Sequence, residues 1–250
     1  MNFFIDGFAY IFDGANWVGP SGIAQRLGDH LFFTVVSILI ALVIAVPLGL
    51  AIGHTGKGRS FVIVVTSAAR ALPTFGLLLF FILLGGLQLW PLILVLVILA
   101  VPPILAGVYS GLEAIDRQTI DASRAVGMSE WQILTRVEVP LALPLMVGGL
   151  RSGVLQVIAT ATVAGYVAQG GLGRYLIEGL ALHNYTLSIV GAILVAALAL
   201  LVDALFAIVQ KLVRPRGVSR GTTRPTKRSH SVIGRPSRSP EAIRTPITEG

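Results

Sequence analysis

Few residues of this chain could make or break a bond. Cys is absent, which removes disulfides, thiolate ligands and cysteine nucleophiles. The four histidines, His30, His54, His183 and His230, are scattered without ligand spacing. They read as isolated polar or loop residues, because a metal site needs convergent ligands. No Ser–His pair, aspartate pair or His-x-x-x-His run falls at membrane depth, so an intramembrane enzyme would lack its catalytic groups. Gly170, Gly171 and Gly173 look like a phosphate loop only superficially, because no Lys-Ser/Thr follows and no strand precedes them. No catalytic residue, metal or cofactor is therefore expected.

The residues with recognisable spacing lie at 113–140, the longest polar stretch between apolar runs. Asp116 suits an N-cap, offering an oxygen to the free N–H groups that open a helix over 117–126. Gly127 suits the left-handed position that ends one. Ser129 and Gln132 then form a capping box for a second helix, with Met128 and Ile133 placed as a hydrophobic staple. That helix runs into Pro140. The spacing predicts a compact helix–Gly–helix elbow.

The elements that must hold this elbow are apolar. Hydrophobic residues make up 54% of the chain and charged residues 12%, where a soluble protein carries roughly a quarter charged. Mean hydropathy is +0.83. A helix needs about 20 apolar residues to cross the hydrocarbon core. Five stretches qualify, at about 31–53, 61–84, 90–109, 141–167 and 187–213. An all-α membrane protein follows.

Lys57 and Arg59 in the first loop, Arg117, Arg124 and Arg136 in the third, and Lys211, Arg214 and Arg216 at the end share one side of such a bundle. The second loop has no charge and the fourth has only Arg174. Positive charge marks the cytoplasmic side, so the elbow is expected there, with the amino terminus outside and the carboxyl terminus inside. Residues 1–30 lack the basic start and cleavage site of a secretory signal. Their aromatic rings suit an interfacial segment, a short amphipathic helix on the outer surface. Residues 214–250 hold nine Lys/Arg against Glu241 and Glu249, which accounts for the whole net charge of +7. This tail is expected to be disordered. It is either a solvated extension or attracted to anionic lipid. A basic tail is not a basic folded face, so nucleic-acid binding is not implied.

Charges inside apolar spans usually face a bundle interior or water. Arg70 lies three residues before Pro73; it either snorkels to the cytoplasmic interface or lies near a wet vestibule. Arg151 and Asp203 fall inside the fourth and fifth spans, and Asp203 could pair with either arginine. Pro47, Pro73, Pro102, Pro103 and Pro144 imply kinks. The glycines at 170–173 read as a flexible outer turn leading to a short helix, placed to form part of a gate.

The elbow resembles the EAA loop of ABC importer permeases, the segment that docks on an ATPase. Asp121, Ala122, Ser123, Gly127, Val137, Val139 and Pro140 fall at the family's spacing; Asp121 and Ser123 depart from Glu-Ala-Ala conservatively. The runs 137–144, 148–151, 159–162 and 170–173, with Ala71-Leu72-Pro73, are similar to the osmoprotectant importer permeases for glycine betaine, choline and carnitine. The resemblance covers about 31–213. It implies a type I importer fold with a five-helix core, a second permease subunit, ATPase subunits, and an extracytoplasmic binding protein that sets most of the substrate choice. It assigns ATPase coupling to those seven residues and to Met128, and leaves Arg70, Pro73, Arg151, Gly170, Gly171, Gly173 and Asp203 as gate or pathway candidates. A same-fold permease for methionine or a sulfonate is the nearest alternative. A self-standing channel or secondary transporter would need ion sites or inverted repeats, which the sequence lacks.

Overall fold

The structure, a computed structural model, describes residues 2–71, 73–167 and 170–213. The expected basic tail at 214–250 lies outside the described residues. Among those described, the regular structure is entirely helical. The helices are α1 (Phe3–Phe12), α2 (Ile23–Thr55), α3 (Arg59–Ala71), α4 (Thr74–Gly85), α5 (Leu89–Glu113), α6 (Arg117–Ala125), α7 (Glu130–Ile133), α8 (Val139–Ala161), α9 (Gly173–Ala181) and α10 (Tyr185–Val213). A π turn, Leu134–Glu138, joins α7 to α8, and a 3-10 stretch, Thr162–Val167, follows α8.

Among the described residues, four helical stretches are long and apolar enough to cross a membrane: Ile23–Thr55, Leu89–Glu113, Glu130–Val167 and Tyr185–Val213. The stretch expected at 61–84 is instead built from α3 and α4. The two part at Pro73, which starts α4 from an extended conformation (φ −71°, ψ 108°). Proline supplies no N–H and drives the residue before it out of the helical region. Pro47, Pro102, Pro103 and Pro144 sit inside helices that continue through them, so Pro73 is the proline that breaks its span. α2 also begins at Ile23, ahead of the apolar run, because buried Arg26 and His30 extend it as polar turns.

α2, α5 and α8 form the centre. Apolar burial gives little drive between helices already in lipid, so close approach and dispersion must hold them. A Cβ on Gly107 of α5 would lie 2.5 Å from the Gly149 Cα of α8, so these two backbones touch with no side chain between them. On α2, Gly49 leaves room for the Val108 side chain of α5, which lies 2.7 Å from where a Cβ would stand. Leu96, Ile104, Leu105, Val157 and Ile158 fill the space around these crossings. α1 leans on α10, with Gly7 against Ile189 and the Phe3 ring 5.8 Å from Tyr185.

Candidate functional site

The elbow forms from local rules. Asp116 Oδ1 accepts from Gln118 N at 2.9 Å and opens α6. Gly127 sits at φ +87° and closes it. Its N–H donates to Arg124 O at 2.9 Å, and Met128 N–H donates to Ser123 O at 3.2 Å, the paired bonds of a Schellman ending. Ser129 Oγ accepts from Gln132 N at 3.3 Å while Gln132 Oε1 accepts from Ser129 N at 2.9 Å, which completes the capping box. Pro140 then enters α8 at its first turn, where no N–H is needed.

The motif residues divide between two surfaces. Asp121, Ala122, Gly127 and Pro140 are exposed; Ser123, Met128, Val137 and Val139 are half-buried. Val137 lies within the π turn and Val139 opens α8, so both belong to the joint between elbow and span. The exposed apolar groups of the elbow are ones that motif spacing missed. Val126 is 78% exposed and Trp131 73%, on either side of Gly127. A tryptophan in a polar stretch was the available signal.

A second set of residues ties the elbow to the bundle. Arg124 forks onto Glu130, with Nε donating to Oε1 at 2.8 Å and Nη2 to Oε2 at 3.1 Å. Its Nη1 donates to Asp121 Oδ1 at 3.3 Å. The Glu130 Oε2 lies 3.4 Å from His54 Nε2, and His54 Nδ1 donates to Glu138 Oε2 at 2.6 Å. Glu138 is buried. One polar chain thus runs from α6 through α7 to the end of α2 and the foot of α8. His54 is therefore not an isolated histidine, as its sequence surroundings suggest. The fold brings it to a partner 84 residues away. A polar cavity of about 410 Å³ opens beside it between the ends of α2, α5 and α6.

Within the spans, Arg151 chooses Asp203. Nε and Nη2 donate to the two carboxylate oxygens at 2.7 Å each, and Nη1 donates to Gln210 Oε1 at 3.2 Å. This fork joins α8 to α10. Arg70 lies near the end of α3; its side chain falls outside what is described.

At the other end of α2, Gly170 and Gly171 adopt φ +86° and +76° and lie over Asp29, His30 and Phe33. Gly173 opens α9 against the carbonyl of Thr162. The expected turn and short helix are present. α9 is clasped to α2: Arg26 Nη2 donates to Glu178 Oε2 at 3.0 Å, and the Arg26 guanidinium lies 4.6 Å from the Tyr175 ring centre. Burial above all pushes the Tyr175 phenol up to about 12; it stays neutral and donates to Ser21 O at 2.8 Å. Among the described residues no group of His, Cys, Asp and Glu could hold a metal.

The chain is similar to known membrane transport proteins. The family described as binding-protein-dependent transport system inner membrane component covers residues 41–215. The glycine betaine/carnitine/choline transport system permease protein OpuCB of Bacillus subtilis (strain 168) is 33% identical over 196 residues, 78% of this chain and 90% of that protein. The choline transport system permease protein OpuBB of the same organism is 31% identical over 77% of this chain and 88% of its own. The osmoprotectant import permease protein OsmW of Salmonella typhimurium is 28% identical over 86% of this chain and 100% of its own. A solved inward-facing structure of the MetNI methionine ABC transporter superposes with a TM-score of 0.69 at 24% identity, covering 77% of this chain and 96% of that one. At that identity it establishes the fold, that of the type I ABC importer permeases. This multi-pass helical chain thus belongs to the binding-protein-dependent transport system inner membrane components, whose relatives here are permease subunits, transport components rather than enzymes.

Proposed function

We propose that this permease subunit imports quaternary-amine osmoprotectants such as glycine betaine or choline, and that the elbow at 113–140 is its docking point on an ATPase. The substrate class is supported by relatives named for those solutes. The docking role is carried by one observation: a rigidly capped elbow presents Val126 and Trp131 outward and is tied by Arg124, Glu130, His54 and Glu138 to α2 and α8. Large exposed apolar groups beside a fixed turn suit a partner's pocket.

The mechanism follows from that linkage. ATP binding closes the two ATPase subunits and draws the elbows together. The polar chain passes this displacement to α2 and α8, and the bundle rocks to face outward. A binding protein docked outside then releases its solute. Asp121, Ala122 and Ser123 lie on the docking helix; Val137, Val139 and Pro140 serve the joint. The amino terminus lies outside, the carboxyl terminus inside, and a second permease subunit, identical or different, completes the pathway.

The test is uptake of labelled glycine betaine and choline at high osmolarity in cells lacking the protein. These receive either the unaltered chain or Gly127→Val, with native ATPase and binding protein present. No atom would crowd a Cβ at Gly127, so the substitution acts through backbone strain alone, on the order of 1–2 kcal/mol. Uptake with the unaltered chain, and its loss in Gly127→Val despite normal membrane insertion, is expected. Normal uptake in the variant removes the docking role; no uptake of either solute with the unaltered chain removes the substrate class.

A further inference from the structure

Among the described residues, two interruptions of regular helix lie beyond α3 and beyond α8. One is the break at Pro73 between α3 and α4; the other is the 3-10 stretch Thr162–Val167 beyond α8. α3 has 13 residues, so the first break lies ~20 Å along the chain from the α2–α3 loop, inside a hydrocarbon core ~30 Å thick. Irregular backbone survives at that depth only where protein or water covers it. In secondary transporters, discontinuous helices commonly frame the place where cargo is held.

The two breaks meet through a pair of rings. Phe75, just past Pro73, and Tyr166, in the 3-10 stretch, have ring centres 5.0 Å apart, tilted by 58°. Phe75 is 41% exposed and Tyr166 56%. Their neighbours turn inward: Leu78 on α4, and Ala164 and Val167 beside Tyr166, belong to the core. The rings therefore stand on the side turned away from their own subunit's core. A tyrosine, apolar in body and polar at its tip, suits a wet surface there better than lipid.

We infer that Phe75 and Tyr166 form a transit site for the quaternary ammonium head of the cargo, holding it by cation–π attraction as it crosses. The inference rests on the substrate class proposed above. A quaternary ammonium has no N–H to donate, so hydrogen-bond acceptors gain nothing from it, whereas the negative faces of aromatic rings attract it. Asp203 offers no competing anion, because Arg151 already engages both of its oxygens. Two rings grip loosely, which a pathway needs if the solute is to leave.

The complete importer, reconstituted in lipid vesicles with its ATPase and binding protein, provides the test. Labelled choline uptake and ATP hydrolysis stimulated by the loaded binding protein are measured for the unaltered chain, Phe75→Leu, Tyr166→Leu, Phe75→Trp and Tyr166→Phe. The leucine variants should slow uptake about tenfold while hydrolysis is still stimulated; the variants that keep a ring should stay within about twofold of the unaltered chain. Unchanged uptake in the leucine variants overturns the site, as does an equal loss in Tyr166→Phe. Loss of stimulated hydrolysis together with uptake also overturns it, since that marks a structural role. An unaltered chain that moves no quaternary amine removes the substrate class and this site together, and that result is visible before any variant is compared.

Discussion

At the scale of single residues, His54 carries the most consequence for its size. Removing it would leave the buried Glu138 carboxylate without its imidazole donor, a desolvation penalty of roughly 1–3 kcal/mol. His54→Ala is expected to cut uptake about tenfold while the ATPase still copurifies. His54→Gln can keep an N–H toward Glu138 and should recover most of the rate. In a double-mutant cycle with Glu138→Gln the losses should be clearly non-additive; simple additivity argues against the link. Arg151 and Asp203 behave differently. Either residue alone, changed to leucine, strands a charge between helices and should reduce the amount of folded protein recovered. The double leucine variant should recover much of it, because the pair is replaced by packing. The caps at Asp116, Gly127, Ser129 and Gln132 were legible in the sequence because each bond spans only a few residues. The partner of His54 was not legible, since no local rule connects positions 84 residues apart. For Asp203 the sequence offered two arginines, and only the packing of α8 on α10 chooses between them.

At the scale of elements, the α5–α8 crossing leaves no room for a side chain. Gly107→Ala would place a methyl 2.5 Å from the Gly149 Cα, where only backbone can yield. The helices would have to part, losing dispersion along their length. The expected outcome is a lower thermal midpoint in detergent and less protein in the membrane, whereas alanine at exposed Gly14, with open space around its Cβ, should change neither. Four of the apolar runs coincide with helices long and apolar enough to cross a membrane among the described residues. Which proline would break its helix was not, because a broken turn persists only where neighbours satisfy the freed groups, and neighbours are a property of the fold. The early start of α2 was hidden for a related reason: Arg26 looks like a loop residue until Glu178 and Tyr175 arrive beside it.

At the scale of the whole molecule, the arrangement predicts sidedness. The absence of cysteine makes single-cysteine labelling clean. Gln118→Cys on α6 should react with an impermeant thiol reagent only from the cytoplasm, and Leu182→Cys, 72% exposed after α9, only from outside. Labelling of both from one side contradicts an elbow and a glycine turn at opposite faces. The π turn under the elbow bears on how such a molecule moves. It holds about one residue more than an α-helical turn, like a screw with a surplus thread. Working that residue out of the turn would spin the elbow by about 100° around the α8 axis and advance it about 1.5 Å. A straight pull on Trp131 could thus become a change of phase, swivelling the docking face while the rest of α8 stays wound.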